Sequence, residues 1–357
     1  MFTKIVAAGA LAAIASAKKQ DVCRALAMSG GGSNGAWEAG VIYGLVNYGD
    51  PADFEWDVVT GVSAGSINSL GMSGWAKGTE IDMAQWMSDL WNSLTTSDIW
   101  VDWPLGKVSG LLIMGGAVDN SPLLNLMIST MDAFPDFARR ITISSVNVNT
   151  GEYHDFDQTN TSWRDMPAAA HCSASIPALF PPHIWKNLGV FMDGGTVYNI
   201  NLESAITQCL ELVDDESQII IDALICGSPS DAPAVEEIGK TWNNYFRARD
   251  ISKYYGGTDS IAATQLAHPK VQLRYVLKQE TGLSGMDEVS FESELTWPLQ
   301  EAGRQAAQDA LNGNQNVNVR DTIREWVDSE SIQEEFAKAG DYVSFKAGLS
   351  KSIINLN

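Results

Sequence analysis

Residues 54–75 read Phe-Glu-Trp-Asp-Val-Val-Thr-Gly-Val-Ser-Ala-Gly-Ser-Ile-Asn-Ser-Leu-Gly-Met-Ser-Gly-Trp. An apolar, β-branched run at 54–60 stops at Gly61, and a run rich in small residues follows at 66–75. The first reads as a buried strand and the second as a helix. Between them lies Gly61-Val62-Ser63-Ala64-Gly65. A strand-to-helix turn this sharp holds its serine in a strained backbone conformation with the Oγ exposed. Glycines two residues to either side remove side chains that would clash. The same five residues also fit a plain turn in which Ser63 caps the helix, so the wider context has to decide.

One unit upstream the pattern repeats. Residues 24–29 form a short apolar run that ends at Gly30-Gly31-Gly32-Ser33-Asn34-Gly35, and residues 36–48 have helical spacing. Strand, loop and helix, twice over, predict an α/β fold with a mostly parallel central sheet flanked by helices. Further strands are expected at 141–148, 190–192, 219–226 and 271–277, and helices at 202–212 and 319–339. No segment reads as a linker. One domain over 24–290 with a helical C-terminal extension over 291–357 is the simplest division.

The glycine loop admits two readings. As G-x-G-x-x-G it could bind a dinucleotide pyrophosphate. Beside a serine elbow, its backbone N–H groups could instead hold the oxyanion of a tetrahedral intermediate. Asp50 and Asp53 precede the second strand, whereas a ribose ligand belongs at its end, so the oxyanion reading is preferred. A third motif, Asp193-Gly194-Gly195, follows the run Val190-Phe191-Met192 and puts a carboxylate at a strand's end.

The glycine-rich loop, the G-x-S-x-G elbow and the late D-G-G, in that order, resemble the patatin-like phospholipase family. Asp119-Asn120-Ser121-Pro122-Leu123, Ser173-Ala174-Ser175-Ile176-Pro177 and Phe180-Pro181-Pro182 are similar to it as well. The resemblance covers roughly residues 25–201. It implies a three-layer patatin-like fold and a lipid acyl hydrolase of phospholipase A or lysophospholipase type. It also implies a Ser63–Asp193 dyad working through an acyl-enzyme, an oxyanion hole from the amides of Gly30, Gly31 and Gly32, and no cofactor or metal. Gly35, Gly61, Gly65, Gly194 and Gly195 are the motif glycines. The family's loop usually carries Arg or Lys just before its last glycine, where this chain has Asn34. That departure leaves room for a neutral or glycolipid substrate, or for reduced activity.

A dyad needs no histidine if Asp193 is partly desolvated and so more basic. The rival is a histidine-dependent esterase. His268 is the only histidine after Asp193 and would complete a Ser–Asp–His order. His154, His171 and His183 read as structural. A third reading, a lipid-binding or storage protein with weak catalysis, draws on Asn34.

Composition narrows the partners. The 357 residues carry a formal net charge of -21, which argues against nucleic acid and against electrostatic docking on anionic membranes. A lipid ester, met at a membrane or micelle surface, is the expected substrate. Residues 1–17 read as a signal peptide: Lys4, an apolar stretch over 5–14, then Ala15-Ser16-Ala17. The stretch is too short to span a bilayer, and no later run is long enough. The secretory pathway is therefore expected, with an extracellular, vacuolar or lysosomal destination. Cys23, Cys172, Cys209 and Cys226 allow three disulfide pairings, and none has metal-ligand spacing. Asn160-Thr161-Ser162 is a glycosylation sequon, with Asn160 as acceptor. Trp75, Trp86, Trp91, Trp100 and Trp103 crowd one segment ahead of Leu111-Leu112-Ile113-Met114. They read either as core or as an apolar mouth.

Overall fold

A computed structural model describes residues 19–185, 187–227, 240–315, 317 and 321. The expected signal peptide over 1–17 and the expected helix over 319–339 lie outside these residues, Asp321 apart. The described residues form an eight-stranded sheet between two layers of helices. Its strands are β1 (Cys23–Met28), β2 (Val58–Val62), β3 (Arg140–Asn147), β4 (Tyr153–Asp157), β5 (His183–Trp185), β6 (Gly189–Asp193), β7 (Ile219–Ile225) and β8 (Gln272–Lys278). The helices are α1 (Gly35–Tyr48), α2 (Ala64–Ser73), α3 (Glu80–Ser93), α4 (Thr96–Ile99), α5 (Gly106–Ser109), α6 (Ser121–Met131), α7 (Met166–Ser173), α8 (Leu202–Leu210), α9 (Thr241–Ala267) and α10 (Ser293–Leu311).

The strand order is β5-β6-β3-β2-β1-β7-β8, with β4 also pairing with β3. The pairs β1/β2, β1/β7, β2/β3 and β7/β8 are parallel. β4, β5 and β6 run antiparallel to their neighbours. Continuous apolar runs make these central strands because both faces of the sheet are covered. In β1, Leu26 and Met28 join the core under α1, α2 and α3, while Cys23, Ala25 and Ala27 join the core under α8. That alternation is the two-residue period of a strand.

The second strand starts later than its apolar run suggests. Pro51–Phe54 instead forms a 3-10 turn, with Asp50 accepting from the Ala52 N–H, and pairing begins at Val58. Phe54 and Trp56 are apolar because they are buried, and the Trp56 indole donates to Asp222 at 2.8 Å. Of the three cysteine pairings, the fold selects Cys23–Cys209, at a Cα separation of 5.6 Å, which ties β1 to α8. Cys172 and Cys226 are free and buried.

The first helix of the expected C-terminal extension, α10, packs into α1. A Cβ on Gly40 would lie 2.1 Å from the Gln300 carbonyl oxygen, and one on Gly303 would lie 2.2 Å from that of Trp37. Trp91 is buried, and the rings of Trp75 and Trp86 pack on each other and on Phe134. These tryptophans therefore belong to the core. No described helix is long and apolar enough to cross a membrane.

Candidate active site

Register brings the three motifs together. Met28, at the end of β1, pairs with Gly61 of β2, so the glycine loop and the serine elbow leave the sheet at one edge. Val62 pairs with Ser144 of β3, and the neighbouring Ser145 pairs with Asp193 of β6. Ser63 and Asp193 thus face one another across a single intervening strand.

Ser63 sits between β2 and α2 with φ 52° and ψ -117°, a strained region for a residue with a Cβ. The two flanking glycines are required by close approach. A Cβ on Gly61 would meet the Gly65 carbonyl oxygen at 2.1 Å, and one on Gly65 would meet that of Met28 at 2.5 Å. Ser63 Oγ donates to Asp193 Oδ2 at 3.0 Å, and both residues are buried. The other carboxylate oxygen, Oδ1, accepts from the Gly195 N–H at 2.8 Å, which fixes the carboxylate plane. Gly194 passes so close to Ser144 that a Cβ would lie 2.3 Å from its carbonyl oxygen, and Gly35 packs on Ala64 and Trp91.

The expected trio of oxyanion donors narrows to two. The Gly30 N–H donates to the Asn199 carbonyl at 3.1 Å, and the Asn199 amide donates back to the Gly30 carbonyl at 2.9 Å. This clamp fastens the glycine loop to the D-G-G loop and removes Gly30 as a donor to substrate. The N–H groups of Gly31 and Gly32 donate to no acceptor among the described residues. Gly32, Ser63 and Ala64 line one cavity, whose walls include Ile67, Leu90, Leu94, Leu123, Met127 and Phe291. Trp86 and Trp91 also face it.

The stretch at 173–177 acts as a brace. Ser173 Oγ accepts from the Ser63 N–H at 2.8 Å and donates to the Ser144 carbonyl at 2.6 Å. The Ser175 carbonyl accepts from the Asp193 N–H at 2.9 Å. One short segment therefore holds the backbone of both dyad residues.

Asn34 is buried, and its side chain faces away from the dyad. Its Nδ2 donates to the Leu283 carbonyl, and its Oδ1 accepts from the Leu283 N–H and from Gln279 Nε2. A cation reaches the site from another element. On α9, Arg249 Nη2 lies 3.6 Å from Asp193 Oδ2, and Nη1 lies 3.8 Å from Glu288 Oε1. Asn199 and Arg249 carry no motif signal, and only the fold brings them here.

The histidines lie elsewhere. His268 Nδ1 is 2.9 Å from Glu216, and its Nε2 is 3.1 Å from Glu203. His171 and His183 pair through their Nδ1 atoms at 2.9 Å, and burial with the neighbouring His183 pushes the His171 pKa down to about 4. His154 packs on Phe156 and Phe191. No group of three or more His, Cys, Asp or Glu that could hold a metal occurs among the described residues. Asn160 is exposed in the turn after β4, its amide donating to the Asp155 carbonyl.

With this geometry in hand, comparisons place the chain among known proteins. The sequence model described as patatin-like phospholipase matches residues 26–206. A cGAMP-activated phospholipase of Escherichia coli (strain TW11681) is 27% identical over 199 residues, 49% of this chain and 52% of that protein. The chain thus spans about half the length of that curated relative. Among solved structures, VipD from Legionella pneumophila aligns over 93% of this chain and 80% of its own, at 13% identity and TM-score 0.41. ExoU of Pseudomonas aeruginosa, in complex with SpcU, aligns over 84% and 53%, at 16% identity and TM-score 0.40.

Proposed function

This chain belongs to the patatin-like phospholipase family, and from that premise we propose that it is a serine lipid acyl hydrolase with Ser63 as nucleophile and Asp193 as base. The observation that carries the reading is the 3.0 Å hydrogen bond from a strained serine to a buried carboxylate. Serine is a weak nucleophile until a base takes its proton, and here the base is already in contact. Ser63 Oγ attacks the ester carbonyl carbon while its proton passes to Asp193 Oδ2. The N–H groups of Gly31 and Gly32 receive the oxyanion. Collapse breaks the ester C–O bond, and Asp193 returns the proton to the leaving alcohol or lysolipid. Water then attacks the acyl-enzyme, giving its proton to Asp193, and as the acyl C–Oγ bond breaks Asp193 returns the proton to Ser63 Oγ and the fatty acid leaves.

The apolar cavity suits a long acyl chain. Arg249, within ionic reach of Asp193, brings a positive charge to the dyad. Export is the setting we favour, in the secretory pathway with an extracellular, vacuolar or lysosomal destination. The Cys23–Cys209 disulfide supports it, since such bonds persist in oxidising compartments, as does the exposed Asn160 sequon.

A fluorophosphonate probe tests the reading. The wild type should be labelled, and Ser63→Ala should lose both labelling and ester hydrolysis. Asp193→Asn should lower kcat by roughly 10²–10⁴, the range a positioned general base contributes. His268→Ala should leave kcat unchanged, because its ring is held by Glu203 and Glu216. Labelling that survives Ser63→Ala would overturn the assignment. Lipid binding without turnover would favour the storage-protein alternative.

A further inference from the structure

The segment that follows the tryptophan-rich region breaks the usual rule for apolar side chains. Leu105, Val108, Leu112 and Ile113 are 83%, 72%, 79% and 77% exposed, and Leu111 and Met114 are exposed as well. Six large apolar residues within ten positions form a contiguous patch of the kind that marks an interaction surface. Leu105 precedes α5, Val108 lies on it, and the other four lie on the single π-helical turn Gly110–Met114 that continues it.

The segment is anchored from beneath. Gly110 is buried, and a Cβ there would lie 2.5 Å from both Trp103 Cδ1 and the Gly116 carbonyl oxygen. The Trp103 indole donates to the Gly116 carbonyl at 3.0 Å. Gly116 in turn rests against Phe180 and Pro181. Beyond it, the Ala117 and Val118 N–H groups donate to the carbonyls of Ala178 and Leu179. Phe180 is also a wall of the Ser63 cavity. The exposed patch is therefore anchored, through Gly110 and Gly116, to a segment that also lines the acyl cavity.

Charge selects the partner. The chain holds 44 acidic residues, yet residues 103–118 contain none and carry only Lys107. Asp102 and Asp119 stand immediately outside that window. The nearest carboxylate, Asp102, pairs with Lys107 at 3.6 Å, so residues 105–114 bring a neutralised pair and no acid of their own to a bilayer, on a protein of net charge -21. The half-buried Trp103 stands at its base, a residue type favoured at the membrane–water boundary.

We propose that residues 105–114 form the membrane-inserting surface of this protein. They place the apolar side chains in the acyl region of a bilayer, so that lipid reaches Ser63 past Phe180. The occupant is a lipid surface held by apolar contact, not by attraction to anionic headgroups. The proposal names the surface through which the hydrolase reading would meet its substrate, and it rests on that reading only for its purpose.

The test is cosedimentation of the full chain with phosphatidylcholine vesicles, at low and high salt, beside hydrolysis of soluble p-nitrophenyl butyrate. Wild type and Ser63→Ala should bind the vesicles equally, with little change in high salt. Leu112→Asp/Ile113→Asp should bind at least about tenfold more weakly, since two exposed aliphatic side chains supply much of the transfer free energy. That variant should keep its melting temperature and its activity on the soluble ester. Binding unchanged in the double variant overturns the proposal. So does a wild type that ignores the vesicles, or a dimer that the variant splits while vesicle binding persists. Vesicle binding by a wild type that never hydrolyses ester would end the hydrolase reading and leave this surface standing.

Discussion

Asn34 shows how a single side chain can mislead when read from its place in a motif. Its position in the glycine loop calls for a cation near substrate, yet its amide is committed to Leu283 and Gln279 in a fully buried setting. Replacing it with arginine should not deliver charge to the dyad. The guanidinium would be buried against Gly282, whose Cβ position lies only 2.9 Å from Asn34 Oδ1, and three hydrogen bonds would be lost. Asn34→Arg is expected to destabilise the fold by about 3 kcal/mol without raising turnover of anionic lipid. Urea unfolding and a phosphatidylglycerol assay check the two halves. Ser63, Asp193 and the motif glycines were legible because strain and close approach act over a few neighbouring residues and restrict residue type there. The Gly30–Asn199 clamp and Arg249 were not. Their partners are distant in sequence, and an ordinary asparagine or arginine satisfies them without any local pattern. The same clamp is why the Gly30 N–H is already committed within the fold.

At the scale of elements, buried parallel strands and their following helices were readable because continuous apolar runs and glycine stops mark them. Of the antiparallel strands, β6 was expected at 190–192, but β4 and β5 were not. β4 is Tyr-His-Asp-Phe-Asp, mostly polar and half-buried, and β5 spans only three residues. Such strands are defined by the partner that hydrogen-bonds them. The contact of α10 with α1 was equally hidden, since Gly40 reads as a weak spot in a helix until Gln300 is seen against it. Gly40→Ala pits helix propensity, worth up to about 1 kcal/mol in favour of alanine, against a Cβ 2.1 Å from a backbone oxygen. Backbone cannot yield as a side chain tip can, so the clash should win and the variant should lose about 2 kcal/mol in urea unfolding. Gly256, within α9, is the counter-case: its Cβ position meets nothing within 4 Å among the described residues. Gly256→Ala should stabilise by up to about 1 kcal/mol, because there only the propensity term acts. Equal effects at the two sites would show that the α1–α10 contact is not close.

For the molecule as a whole, two buried groups set opposing responses to pH. Glu38 of α1 accepts from the Ser29 N–H at 3.0 Å and from Asn68 Nδ2 at 2.9 Å, beneath both the glycine loop and the elbow. Burial pushes its pKa up to about 8 from 4.5. Between those values the folded chain binds a proton that the unfolded chain has released, so stability falls as pH rises, by about 1.4 kcal/mol per unit. His171 runs the other way. Its folded pKa of about 4 lies below the ordinary 6.5, so between those values the unfolded chain holds the extra proton and stability falls as pH drops. Burial lowers His183 as well, which steepens the acid side. Where the windows overlap, the opposing slopes largely cancel. Asp250, pushed up to about 7 by burial, adds to the Glu38 slope up to that pH, so Glu38 leads the decline from about 7 to 8 while the histidines lead it on the acid side. The melting temperature is therefore expected to peak near pH 6 and to decline through pH 8. Glu38→Gln removes the titrating group while keeping an acceptor for Ser29. Melting curves from pH 5 to 9 should show the alkaline decline flattened in that variant and the acid decline intact. If both proteins decline alike above pH 7, Glu38 is already ionised in the folded state, and the buried network beneath the glycine loop holds a charge instead of a proton.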